Sequence, residues 1–338
     1  MEWEQEEEPM KIGKVTGNAL KRSVLKPITY KREEVLHGAG VGEDCAILAV
    51  PKGFIMTSCV QQAAVESRLD LKLLIGRCVN NLAASGSQPM AAMLGVILPE
   101  TVEELQLKAL MADVHEICKS YEMQIAGGHT MVNDAVSKVL LVVTVYGLRQ
   151  QTPNDSAAGL QKGAAPGQEI VLSKWIGLEG TALLAEKYEE GLKGRYPGYL
   201  VEEAAGFYKY ISVLPEAMVA VKEGVCHMHD ASEGGILAAL WEMAEGAGTG
   251  LTIDLKKLPI RQETVEVCEF VGVNPYELRS GGCLIMTAYD GQKLVEALEE
   301  AGIAAVVVGK LTDSKERLIL NEDEVRYMDR PQVDEIYR

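Results

Sequence analysis

Between Gly38 and Leu48 the chain reads Gly-Ala-Gly-Val-Gly-Glu-Asp-Cys-Ala-Ile-Leu, the stretch that most restricts what the backbone around it can do. Gly38, Gly40 and Gly42 free the chain for turns and for close approach by a ligand. Successive N–H groups in such a loop form anion-binding concavities. Glu43 and Asp44 follow at once, and Mg²⁺ takes carboxylate oxygens together with substrate phosphates. Backbone donors for phosphate oxygens beside acids for a cation suit Mg-ATP. A glycine-rich turn into a strand, with two solvated acids, accounts for the same residues, and the stretch alone leaves both readings open.

At 338 residues the chain is long enough for two domains, and with 47% apolar residues it can bury large cores. A formal net charge of −16 argues against a broad surface for nucleic acid or anionic membrane, yet leaves room for a local basic pocket. One segment fits that description. Lys11, Lys14, Lys21, Arg22 and Lys26 lie between Lys11 and Tyr30 against no acid, either as a solvated arm or as a strap carrying positive charge to phosphates. Residues 1–10 are mostly acidic and expected to be disordered. Seven scattered cysteines show no zinc spacing, and most sit in apolar runs, so free thiols in a reducing compartment are expected. With no secretory signal and no apolar run of membrane-spanning length, the expected location is the cytoplasm, away from any membrane.

Strands alternating with helices predict an α/β or α+β layered first domain over 1–150. Cys45–Val50 and Phe54–Cys59, joined by Pro51-Lys52-Gly53, read as a hairpin. Leu71, Leu74, Ile75, Cys78, Val79 and Leu82 fall on one helical stripe that runs into Asn80-Asn81. Thr101 and Glu104 read as a capping box for a helix with Leu107, Met111, Val114 and Cys118 inside. Gln124-Ile-Ala reads as a short strand stopping at a Gly127-Gly128-His129-Thr130 loop, where N–H groups are free and His129 and Thr130 can donate or coordinate. Val139–Tyr146 is the expected central strand.

Residues 151–338 form the expected second domain, with 151–167 as linker. A strand at Glu169–Ser173 leads through Trp175–Thr181 into a helix. Val225–Gly235 places His227 and His229 on a strand, then Asp230 or Ser232 as a helix cap before Gly234-Gly235. The two histidines share one strand face, as a metal pair or as structural residues.

Four landmarks in order carry a resemblance: Gly-Val-Gly-Glu43-Asp44-Cys-Ala, Asn80-Asn81-Leu-Ala-Ala-Ser-Gly-Ser-Gln-Pro89, Gly127-Gly128-His129-Thr130 and His229-Asp230-Ala-Ser-Glu-Gly-Gly235. Together they resemble the ATP-binding superfamily of aminoimidazole ribonucleotide (AIR) synthetase, thiamine-monophosphate kinase, selenophosphate synthetase and the hydrogenase maturation factor HypE. The HypE branch is most similar, through GGHT, Lys174-Trp-Ile-Gly-Leu-Glu-Gly-Thr181 and HDASEGG. The resemblance implies a two-domain PurM-like α/β fold, a homodimer through the first domain, and ATP with Mg²⁺ in a cleft of that domain. Carried onto this sequence, it makes Asp44 and His129 the candidate catalytic residues, with Asp44 also the metal ligand. Nucleotide contacts would come from Lys14, Gly40, Gly42, Glu43, Asp44, Asn80 and Asn81, and further from Gly127, Gly128, Thr130 and Asp230.

Departures weaken the metal. Cys59, Asn81 and Met131 stand where the family usually has acids, so Mg²⁺ binding is expected to be weak or lost. The family's Pro-Arg-Ile-Cys ending is replaced by Glu335-Ile-Tyr-Arg338, which counts against thiol carbamoylation. Three readings follow: an ATP-dependent enzyme activating a small substrate or protein group, a degenerate nucleotide binder acting through a maturation partner, and a dimeric scaffold without nucleotide.

Overall fold

The alternation of helical and extended patterns produces two separate sheets in the structure, a computed structural model that describes residues 11–41, 45–151, 163–330 and 332–338. The chain divides into one unit of Met1–Leu82 with Ser87–Gln151 and another of Ala83–Gly86 with Thr152–Arg338.

The first unit runs β1 (Gly13–Lys14), α1 (Gly17–Ala19), β2 (Val35–His37), β3 (Ile47–Leu48), β4 (Phe54–Val65), α2 (Arg68–Ala84), β5 (Gln88–Leu98), α3 (Glu104–Ser120), β6 (Gln124–Val132) and β7 (Val139–Gln150). Its main sheet has the order β1-β6-β5-β7-β4. The stripe of α2 is buried as its spacing requires, from Leu71 through Leu82, and α3 buries Leu107, Met111, Val114 and Cys118. The β-branched run in β7 is interior, paired with β5 on one side and β4 on the other.

Three local readings change. The expected hairpin does not form: β3 pairs with β2, while β4 extends to Val65 and pairs with β7 along its whole length. A long antiparallel partner outcompetes a local turn, because each added residue brings ladder bonds and cross-strand contacts. At α3 the capping pair lies elsewhere, with the Glu103 N–H donating to Gln106 Oε1 at 2.8 Å. Glu104 is engaged with the basic segment instead, accepting from both Arg22 and Ser23 Oγ. The third change concerns Gly127–Thr130, which lie inside β6 and not in a loop beyond it.

The basic segment is folded. Thr16 Oγ1 accepts the Ala19 N–H at the start of α1, and the chain continues as a π-helix over Leu20–Leu25. Val24 and Ile28 are buried. The Thr29 hydroxyl lies 3.0 Å from His115 Nε2 on α3. So the strap is tied at two points, one ionic and one neutral.

The second unit runs β8 (Glu169–Ser173), α4 (Leu178–Lys187), α5 (Glu189–Arg195), α6 (Gly198–Ala205), α7 (Leu214–Lys222), β9 (His227–Ala231), α8 (Gly235–Ala247), β10 (Gly250–Asp254), α9 (Gln262–Val271), β11 (Cys283–Ala288), α10 (Gly291–Glu300), β12 (Ala305–Thr312), β13 (Arg317–Asn321) and β14 (Glu324–Tyr327). Its sheet order is β14-β13-β10-β12-β8-β11-β9. One face packs on α8 through Ile236, Leu240 and Met243, and the other on α7 and α10 through Ala217, Leu294 and Leu298. No helix among the described residues is long and apolar enough to cross a membrane.

Burial holds the His115 imidazole below its usual range, with Glu116 opposing and Lys119 assisting. The unfolded chain takes up that proton near pH 6.5 while the native protein resists it, so stability present above about pH 6.5 is lost as pH falls toward the lower native value. Glu104, depressed by Arg22, adds its own loss as pH falls through the ordinary carboxylate range toward its lower native value. Thermal midpoints between pH 7 and pH 5 should therefore fall more steeply for wild type than for His115→Gln, which keeps a partner for Thr29. Equal slopes would remove His115 as the cause.

Candidate functional site

Strand β6 crosses the sheet beside β5 in parallel register, with a shift between Ala92 and Met93. At Gly128 φ is +153°, and a Cβ would lie 2.1 Å from the Leu94 carbonyl oxygen. No side chain fits there. The glycine pair thus serves close strand approach, the alternative meaning of glycine inside a strand pattern. Gly128 and His129 are both exposed.

A recess of about 400 Å³ opens over this part of β6, lined by Lys14, Gly40, Gly128, His129, Thr130 and Thr144 among others. An apolar pocket of about 50 Å³ shares Leu20, Gly40, Leu94 and Gly128–Thr130 with it, and adds Val24, Ile28, Met111 and Ile125. The strap forms one wall of both. Lys14 reaches the site because β1 pairs with β6, Lys14 standing opposite Met131. The structure therefore brings together Lys14, Gly40, Gly127, Gly128, His129 and Thr130. Gly42, Glu43 and Asp44 lie outside the described residues. Leu20, Met93, Gly95 and Thr144 join the lining without having been singled out from sequence, although the apolar spacing of Leu20, Val24 and Ile28 within the basic segment carried a signal.

The three acid-to-neutral positions do not form one cluster. Cys59 is on the helix-covered face of β4, where its Sγ donates to the Cys78 carbonyl of α2 at 3.2 Å. Met131 belongs to the opposite end of the sheet, in register with Ile97 and Leu140, whereas Cys59 is in register with Val145 and Ala92. Asn80 is buried on α2 and Asn81 half-buried. The contact with Cys59 and burial push the Cys78 thiol up, and burial raises Cys118 to about 12, so these thiols stay protonated. No described residue lining the recess or the pocket is a carboxylate. Among the described residues no group of three or more His, Cys, Asp or Glu could hold a metal ion.

Asp230 is carried by the second unit, on β9 opposite Leu284 of β11. Burial pushes its carboxyl up, with His229 opposing. His229 Nε2 is 3.6 Å from Glu242, and His227 is buried. Neither Asp230 nor Ser232 caps α8. Gly234 occupies the cap with φ +79°, and its N–H donates to Asp334 Oδ2 at 2.7 Å. Asp334, from near the carboxyl end, is 1% exposed, and its other oxygen accepts from Ile336 N at 2.9 Å. Next to it Arg279 sits 3.6 Å from buried Glu179 and 3.2 Å from Glu233, and donates to the Tyr337 hydroxyl at 2.9 Å.

Family models match both units: residues 42–149 match the N-terminal domain of AIR synthase related protein, and residues 165–321 its C-terminal domain. The chain belongs to the AIR synthase related family. Within that family it is HypE-like. A protein of Methanocaldococcus jannaschii named for hydrogenase expression and formation is 29% identical over 253 residues, 74% of this chain and 72% of that one. The carbamoyl dehydratase HypE of Rhodobacter capsulatus is 26% identical over 244 residues, 71% and 68% of the two chains. In fold, this AIR synthase related chain is similar to hydrogenase maturation protein HypE in complex with ATP, with a TM-score of 0.75, 18% identity and coverage of 94% and 96%. It is similar also to HypE in a HypE–HypF complex, with a TM-score of 0.66, 21% identity and coverage of 91% and 98%.

Cys59→Asp tests the placement of that residue. A carboxylate there would face the Cys78 carbonyl on the helix-covered side, at a cost of about 1–3 kcal/mol. Urea unfolding should show this loss for Cys59→Asp and little change for Cys59→Ser, which keeps the donor. Recovery of the Cys59→Asp midpoint by Mg²⁺ would contradict the placement.

Proposed function

We propose that the first unit binds ATP in the recess over β6, with Lys14 and the Gly128–Thr130 backbone and side chains at the phosphates. The observation that carries this reading is the convergence of Lys14, Gly40, Gly128, His129 and Thr130 on one cavity of a chain with net charge −16. A local cluster of donors in an acidic protein is specific for an anion where a general basic surface is absent. The names of the HypE relatives support the reading, as does the ATP complex of one neighbour in fold.

The chemistry proposed is ATP-dependent activation of an amide or carbonyl oxygen, on a small substrate or on a protein group presented by a maturation partner in the cytoplasm. The bound nucleotide supplies the phosphoryl group. Lys14 balances its charge, Thr130 and the β6 amides orient it, and His129 supplies the imidazole among the described residues of the recess. A Mg²⁺ clamp finds no support among the described residues, since the lining holds no carboxylate; Asp44, with Glu43, is left as the candidate ligand. The neutral Cys59, Asn81 and Met131, where the family usually has acids, favour a second reading, in which nucleotide is bound with slow turnover and the protein acts through its partner.

The outer face of the main sheet exposes Met56 and Val60 on β4, alongside half-buried Val142 and Ile97. A second copy of the chain covering this face completes the proposal as a homodimer.

Calorimetric titration with ATP tests the site. Lys14→Gln should weaken binding about tenfold or more, the worth of one charge-assisted contact. Removing Mg²⁺ should change wild-type affinity only slightly. Unchanged affinity in Lys14→Gln would take the recess out of the reading. Light scattering should return a dimer mass, and a monomer would leave the outer face uncovered.

A further inference from the structure

The second unit holds a separate cavity of about 470 Å³, between the start of α8, the loop after α9 and the segment leaving β14. Its floor is apolar, from Leu237, Ala238 and Ile319. Its rim carries Arg326, Asp329, Arg330 and Gln332. Arg326 stands opposite Ile319 in the β13–β14 ladder, which sets it on the same face as that floor residue. Other polar groups of the rim are already engaged. Asn274 Nδ2 donates to Glu277 Oε1 at 2.9 Å, its Oδ1 accepts from Tyr276 N, and the Tyr327 hydroxyl donates to Glu316. Gly234, also in the lining, gives its N–H to Asp334.

What remains for a ligand is two guanidinium groups, the Asp329 carboxylate and the second oxygen of Glu277, whose first is held by Asn274. Several other arginines are matched with acids, Arg22 with Glu104, Arg32 with Glu34, Arg68 with Asp113 and Arg317 with Glu245. Arg326 and Arg330 make no ion pair among the described residues, in a chain that carries an excess of 16 negative charges. Two guanidinium groups lining one cavity of ligand size match a dianion with several acceptor oxygens. Asp329 beside them disfavours a bare anion and favours one that carries its own donor.

We infer that this cavity is a binding site for a small phosphomonoester, with Arg326 and Arg330 on the phosphate and Asp329 accepting from a hydroxyl or ammonium group of the same molecule. It is distinct from the recess over β6 and does not depend on that recess binding ATP. No covalent step is involved.

The probes are inorganic phosphate, glycerol 3-phosphate and O-phosphoserine, titrated calorimetrically into the full-length protein at constant ionic strength. Saturable binding is expected for the two esters, tighter than for inorganic phosphate, and the better of the two esters identifies the donor that Asp329 accepts. Arg326→Gln with Arg330→Gln should weaken ester binding about tenfold or more. Asp329→Asn should act in the opposite direction on inorganic phosphate, tightening it, and should erase the preference for the esters. Both arginines are exposed, so circular dichroism of the double variant should match wild type. Three outcomes would overturn the inference: no saturable binding of any probe, binding unaltered in the double arginine variant, or binding lost in Lys14→Gln instead, which would assign the anion to the first unit.

Discussion

Strand β6 runs so near β5 at residue 128 that a Cβ would stand 2.1 Å from the Leu94 carbonyl oxygen, and the rest of the first unit is arranged around that approach. Backbone taking the place of side chain brings β6 into parallel register with β5 from Met93 to Leu98. That register sets His129 beside Gly95 and Thr130 beside Val96, and leaves a shallow surface over the glycines. Lys14 arrives there because the outer edge of β6 pairs with β1. A bulkier residue at 128 would separate the strands and dissolve the recess together with the ladder.

The strap completes the recess, and its attachment is electrostatic as well as apolar. Arg22 and Ser23 meet the Glu104 carboxylate at the first turn of α3, where a helix favours negative charge. Of the five basic residues in the strap, one is therefore committed to holding it in place and Lys14 is presented to the recess. The division of labour gives the lining a positive character without making the protein basic. The second unit handles charge differently. There Arg279 is buried among Glu179, Glu233 and Asp334, and Asp334 receives the N–H of Gly234. In that unit the Gly-Gly of the HDASEGG stretch is a docking point for the chain's own carboxyl-terminal segment.

Much of this was legible from sequence, for identifiable reasons. The stripes of α2 and α3, the β-branched run of β7 and the strand at Glu169–Ser173 are set by periodicity, which tertiary context reinforces. Lys14, Gly40 and Gly128–Thr130, which the resemblance singles out, line one recess. The errors arise where long-range pairing decides. Gly127-Gly128 reads locally as the end of a strand, and only the ladder with β5, which runs on to Val132, makes it the middle of one. Pro51-Lys52-Gly53 reads as a hairpin turn, but the partner of β4 comes from Val139–Gln150. Cys59 and Met131 look alike as lost acids in a motif, and a sequence does not show that they belong to distant rows of the sheet. The role of Asp334 at α8 was invisible for the same reason, lying a hundred residues from the glycine that it caps.

In the proposed function, strap and β6 together form one anion-receiving surface in the first unit. Amide hydrogen exchange of the full-length protein, with and without saturating ATP, reads this directly. ATP should slow exchange in residues 13–26 and in 124–132 together, because a ligand in the recess touches both walls. The segment 227–247 of the second unit should be unchanged. Protection confined to 227–247, or slowing in only one of the two walls, would contradict the account.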